Sequence, residues 1–226
     1  MKYINKTIAI LGITSLLGGI PAAVYAQPPQ IRLGQMNFQK YYNQGVQKLA
    51  QGNFNEAIED FNSVVKLNPR YYEGYCLRGL AKSQLGNFQA ALADYNLALR
   101  LNPRHADAYN GRGTAYAELG NIQAAIADFN QTLKIDPQFV DGYYNLGLAN
   151  IRQGNHKQAI SNFNQALNIN PNLPDAYGNR GLARYALGDK RNAVADLQQA
   201  ASLFQQQGDT LRYQQTQALI QQISRK

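Results

Sequence analysis

Five glycines, Gly45, Gly79, Gly113, Gly147 and Gly181, stand at a constant interval of 34 residues. A chain with that register is one short unit repeated, and each unit must lean on its neighbours to bury its apolar surface. The other columns keep the same step. A second glycine series runs Gly52, Gly86, Gly120, Gly154 and Gly188, an alanine series Ala57, Ala91, Ala125, Ala159 and Ala193, and a tyrosine series Tyr41, Tyr75, Tyr109, Tyr143 and Tyr177. An aromatic series, Phe61, Tyr95, Phe129 and Phe163, ends at Leu197, and prolines close four units at Pro69, Pro103, Pro137 and Pro171.

Each column has a physical reason. Between Gly86 and Pro103 the residues Ala91, Leu92, Tyr95, Ala98, Leu99 and Leu101 recur mostly at intervals of three and four, which predicts a helix with one buried face. The stretch from Tyr75 to Leu85 reads the same way, and Gly86-Asn87 separates the two, the glycine supplying the left-handed conformation that ends a helix. Pro103 stops the second helix by steering Asn102 out of the helical region. Gly79 and Ala91 lack bulk where two antiparallel helices must approach. The acids Glu73, Asp107, Asp141 and Asp175 fall in the first turn of each first helix, where they complement its dipole.

The aromatic, Gly, Ala, aromatic and Pro pattern at this period resembles the tetratricopeptide repeat family, and it covers Phe38 to Gln207. The resemblance implies an all-α, right-handed α-solenoid of five antiparallel helix-turn-helix hairpins at 38–71, 72–105, 106–139, 140–173 and 174–207. A capping helix is expected over 208–226. There Gly208-Asp209 supplies a break and an N-cap, and Leu211, Ala218, Leu219, Ile220 and Ile223 cover the last hairpin. Residues 27–37, with Pro28-Pro29, read as an extended lead-in. At the amino end Lys2 and Lys6 precede an apolar run from Ile8 to Ile20 that closes in Val24-Tyr25-Ala26, the layout of a secretory signal peptide over residues 1–26. An uncleaved membrane anchor over residues 7–26 is the alternative. In both cases the repeats are expected to act outside the cytoplasm, in a periplasm, a lumen or the extracellular space.

Arg78, Arg112 and Arg180 precede the first glycine, and Asp94, Asp128 and Asp196 follow sixteen residues later. Both partners lie eight residues from the turn glycine, so an antiparallel hairpin sets them side by side. In the fourth unit both change together, to Leu146 and Asn162. These are read as structural ion pairs, of modest value if exposed.

The family's ligands lie in a concave groove lined by the first helix of each repeat, so the resemblance implies a site for a protein or peptide segment there. In the first two repeats that surface would carry Tyr42, Val46 and Leu49, then Cys76 and Leu80. Asn110 and Thr114 follow in the third, Tyr144, Leu148 and Arg152 in the fourth, and Asn179, Leu182 and Tyr185 in the fifth. The lysine, asparagine and arginine set with which some relatives grip a chaperone's carboxyl terminus is not matched, since Tyr42, Cys76, Val46 and Leu148 occupy those places.

Other chemistries find little to work with. The single cysteine, Cys76, allows no disulfide within one chain, and His105 and His156 lie in separate turns and read as ordinary surface residues. No catalytic, cofactor or metal site is expected. The formal charge of +8 raises the alternative of a basic, nucleic-acid-binding repeat protein, but lysine and arginine are scattered rather than clustered, so no nucleic acid is expected. The chain is expected to be a non-catalytic scaffold and a monomer, touching membrane only through its amino-terminal segment.

Overall fold

The computed structural model describes residues 29–225, with side chains from residue 37 onward. The proposed signal or anchor segment lies outside the described residues. Among them there are eleven helices: α1 (Pro29–Ala50), α2 (Phe54–Leu67), α3 (Tyr72–Gln84), α4 (Phe88–Leu101), α5 (Ala106–Glu118), α6 (Ile122–Ile135), α7 (Val140–Arg152), α8 (His156–Ile169), α9 (Pro174–Ala186), α10 (Lys190–Gln206) and α11 (Thr210–Arg225). Consecutive helices pack as antiparallel pairs, and each pair stacks on the next, which makes the fold a tetratricopeptide-type solenoid. No described helix is long and apolar enough to cross a membrane.

The turns follow from local chemistry. Gly86 has φ +77, a left-handed value that the other four members of its column and Gly208 share. Around it the Asn87 amide donates back to the Lys82 carbonyl at 2.9 Å and the Gly86 amide to Ser83 at 2.9 Å, closing α3. Between pairs the residue before the proline sets the turn. Asn102 takes an extended backbone (φ −135) and its side chain accepts from the Arg104 amide at 3.1 Å. Asn68, Asp136 and Asn170 make the same turn.

Within each pair the first glycine faces the aromatic column. A Cβ placed on Gly113 would lie 2.7 Å from the Phe129 ring and 3.2 Å from the Ala125 carbonyl oxygen, so the helices touch there because nothing intervenes. Phe61, Tyr95, Phe129 and Phe163 are almost wholly buried, and Leu197 fills the same place in the last pair. Tyr95 is the one tyrosine of that column, and its hydroxyl needs extra room. Gly111 of the next repeat provides it, since a Cβ there would come within 2.7 Å of the Tyr95 hydroxyl oxygen. At the end of the array α11 covers α10, with Ile220 and Ile223 buried against Leu197.

One element departs from expectation. Residues 29–37 are helical, not an extended lead-in, and α1 begins at Pro29. Proline is tolerated in the first helical turn because its missing amide has no partner there in any case.

Candidate functional site: the inner wall of first helices

The first helices α1, α3, α5, α7 and α9 touch not only their own partners but one another, α1 with α3, α3 with α5, and so on. In a curved stack the elements that crowd together line the inside, so these helices form the inner wall. Side chains cross directly from one wall helix to the next. Asn145 Nδ2 donates to Asn110 Oδ1 at 3.0 Å, and Asn179 Nδ2 donates to the Tyr144 hydroxyl at 3.1 Å. Arg152 donates to the Ala117 carbonyl at 2.6 Å and to Glu118 at 2.9 Å.

The expected groove residues divide into those on this surface and those beneath it. Leu49 and Cys76, read from the sequence as wall residues, are buried in the core instead. Leu49 packs with Phe61, and Cys76 packs with Tyr95, where desolvation pushes its thiol well up and leaves it unreactive. Both share their register with wall residues, Cys76 with Asn110 and Leu49 with Tyr185, but the next repeat packs over them through Ala108 and Ala81. Tyr42, Val46, Leu80, Asn110, Thr114, Tyr144, Leu148, Asn179 and Tyr185 are half-buried, while Arg152 and Leu182 are exposed. The wall changes character along its length. At the amino-terminal end Tyr71 stands edge-on to Phe38 at 5.0 Å and to Tyr42 at 5.8 Å. Amides dominate the middle. At the far end a pocket of about 180 Å³ opens between α9 and α11, lined by Asp175, Asn179, Leu182, Arg212, Thr216 and Leu219.

Two features of the site went unread in the sequence. The acids Glu73, Asp107, Asp141 and Asp175, assigned there to helix dipoles, precede the wall residues by three or four positions and therefore share their face. Desolvation raises the Asp107 carboxyl, opposed by His105 and reinforced by Glu73, and desolvation with a contribution from Asp107 raises that of Asp141, although Asp141 keeps an exposed surface. The acids thus feel one another across successive repeats. His105, expected at the surface, has a side chain only 10% exposed. It stands edge-on to Tyr72 at 5.0 Å, with Nε2 3.5 Å from Glu73 and Nδ1 3.7 Å from Asp107. A lone histidine in a turn gives no such signal; only the stacking of one repeat on the next brings it between the acids.

The arginine and aspartate columns lie away from this wall and form buried clamps. Arg112 Nε and Nη2 reach the two Asp128 oxygens at 2.8 Å each, and Nη1 donates to Asn96 at 2.7 Å. One guanidinium therefore ties three consecutive helices, α4, α5 and α6, and it also lies 5.3 Å from the Tyr109 ring centroid. Arg78 does the same between Asn62 and Asp94, and Arg180 between Asn164 and Asp196. Lys82 and Arg184 add second cations to Asp94 and Asp196. Asp94, Asp128 and Asp196 are no more than 5% exposed, so these are buried pairs, and removing one partner costs more than at an exposed pair. Among the described residues no group of three His, Cys, Asp or Glu side chains is disposed to hold a metal ion.

A stack of two-helix units with a continuous inner wall defines a helical-repeat scaffold. Family models described as tetratricopeptide repeat match residues 76–139 and 174–207, and one described as TPR repeat matches 45–86 and 150–188. The chain belongs to the tetratricopeptide repeat family. No curated protein matches the sequence. Among solved structures, that of MamA is 26% identical with a TM-score of 0.64, over 77% of this chain and 96% of the other. TTC0263, a thermophilic TPR protein of Thermus thermophilus, is 21% identical with a TM-score of 0.69, over 80% and 99%. YrrB, described as a TPR protein with an unusual peptide-binding site, is 17% identical with a TM-score of 0.61, over 79% and 90%.

Proposed function

We propose that the chain is a non-catalytic scaffold whose inner wall holds an extended or helical segment of a partner protein, and that it works outside the cytoplasm. The observation that carries the binding reading is the wall itself. Half-buried Tyr144 and Leu148 and exposed Leu182 present apolar contact area, while Asn110 and Asn179 present amides that can meet a peptide backbone. Leu182 is 43% exposed and lines the pocket between α9 and α11, where it offers apolar contact to a bound segment. The acids on the same face disfavour a polyanion there, which weighs against nucleic acid. The reading of location is supported by Lys2, Lys6 and the apolar run that follows.

A peptide array tests the binding site. Full-length chain is expected to label a subset of immobilised peptides, and a Leu148→Gln/Leu182→Gln variant, folded by circular dichroism, to lose most of them. An unchanged pattern would show that binding lies elsewhere. Amino-terminal sequencing of the chain recovered from the cell envelope tests location, with a start at Gln27 expected for a cleaved signal.

A further inference from the structure

The far end of the wall shows how this face meets a cation. Arg212, carried by α11, lies 3.1 Å from an Asp175 oxygen, donates to Asp209 at 2.6 Å and stands 4.5 Å from the Phe204 ring centroid. The cap thus presents a guanidinium to the last acid of the row. The preceding acids have no such complement: among the described residues the only basic group near Glu73 or Asp107 is the His105 ring, and no lysine or arginine pairs with Asp141. His105 itself is nine-tenths buried, and its Nε2 has no hydrogen-bond partner although it points toward Glu73. A buried ring nitrogen left without a partner beside under-compensated carboxylates marks a polar site built to receive something more. The row also stands against the sign of the chain as a whole, which carries 22 lysines and arginines and only 14 acids.

Resting on the groove reading above, we infer that the wall takes a cationic peptide segment whose lysine or arginine side chains reach Asp107 and Asp141 as Arg212 reaches Asp175. Charge complementarity names the partner's chemistry, and the leucines and tyrosines beside the acids supply the apolar floor. Geometry sets its spacing. Packed helices lie about 8–10 Å apart, and a chain in polyproline II conformation rises about 3.1 Å per residue with three residues per turn, so every third side chain lies on one face. A segment crossing the wall in that conformation would meet successive acids with cations about three residues apart.

The test uses fluorescent peptides of repeated Lys-Leu-Ser triplets, with Gln-Leu-Ser and Glu-Leu-Ser counterparts, titrated by anisotropy against the full-length chain. The lysine peptide is expected to bind about tenfold more tightly than the glutamine peptide, and the glutamate peptide more weakly than both. An Asp107→Asn/Asp141→Asn variant should bind the lysine peptide no better than the glutamine peptide. The advantage of lysine should shrink as salt is raised in the native chain and be absent from the variant. Equal affinity for the lysine and glutamine peptides, or undiminished lysine binding by the variant, would overturn the cationic preference and leave the groove standing. If none of the three peptides binds, or Leu148→Gln/Leu182→Gln binds all of them as the native chain does, the groove reading falls as well.

Discussion

Replacing Arg112 with leucine separates a clamp from an ornament. Asp128 is 5% exposed, and Arg112 is its sole cationic partner among the described residues, because Tyr116 stands where the second and fifth repeats carry Lys82 and Arg184. Arg112→Leu would leave a carboxylate in the interior with neither hydrogen bonds nor counter-charge from that side, and would release Asn96. Breaking a buried pair costs about 3–5 kcal/mol. The Arg112 side chain keeps 21% exposure, which lets in some solvent and favours a cost of about 3 kcal/mol. The fourth repeat already contains the compensated form, Leu146 with Asn162. The double variant Arg112→Leu/Asp128→Asn copies it and removes the stranded charge, so it should cost only about 1 kcal/mol.

Thermal melts followed by far-ultraviolet circular dichroism read the difference. For a chain of this size each kcal/mol lowers the midpoint by about 2–4 °C, so the single variant should melt about 6–12 °C below the native chain and the double about 2–4 °C below. The order matters more than the values. If the single substitution costs no more than the double, Asp128 is not held by Arg112 in the way the geometry requires, and the clamp has no energetic content.

Gly111→Ala should lower stability by about 1–3 kcal/mol through overpacking against Tyr95, and the chemical-denaturation midpoint should show it, whereas alanine at Gly178, which would meet no atom within 4 Å, should be tolerated. Asp107 and Asp141 have carboxyls raised above their unfolded values, so their charged forms cost stability above the folded pKa, and that cost disappears as pH falls through it. Asp107→Asn/Asp141→Asn should therefore raise the melting midpoint at neutral pH, with the gain shrinking as pH falls through the raised carboxyl values; a lowered midpoint at neutral pH would contradict the desolvation argument. Asp209 is shifted the other way, because its carboxylate accepts from the Arg212 amide and guanidinium. Its contribution is present above the unfolded pKa and is lost as pH falls through the lower folded value, so amide exchange in the first turn of α11 should accelerate in acid before that of α10.

The fold was legible because its determinants are local and repeat. A glycine that must take φ +77, a proline that cannot continue a helix and a small residue under an aromatic ring each act within a few residues, and the constant interval repeats the signal along the chain. What escaped the sequence lies between repeats or at the ends of elements. Pro28-Pro29 read as extended chain, although a proline also starts helices. Leu49 and Cys76 share the register of Tyr185 and of Asn110 and Tyr144, so a reading made repeat by repeat puts them on the wall, and the packing of the next repeat, Ala81 beside Leu49 and Ala108 beside Cys76, decides that they are covered. The third member of each clamp, Asn62, Asn96 or Asn164, belongs to the preceding hairpin and is invisible to a reading made one hairpin at a time. Gly111 escaped for the same reason, since the hydroxyl it accommodates is carried by the repeat before it.

The acids of the first turns show why a sufficient explanation can conceal a second role. A carboxylate near a helix N-terminus complements the dipole on whichever face it lies, so that effect does not select the inner wall. Nor does repetition alone account for the row. Other wall positions have diverged between repeats, with Cys76, Asn110, Tyr144 and Gly178 at equivalent places, and the clamp of Arg and Asp has given way to Leu146 and Asn162 in the fourth. The acid persists through four repeats while its surroundings change, as Glu73 once and as aspartate three times. At Asp107 and Asp141 desolvation and a neighbouring acid oppose the charge, while the helix N-terminus, and at Asp107 the His105 ring, favour it. At Asp175, where the cap brings Arg212 to the carboxylate, the molecule shows the form that a partner's cation would take at Asp107 and Asp141.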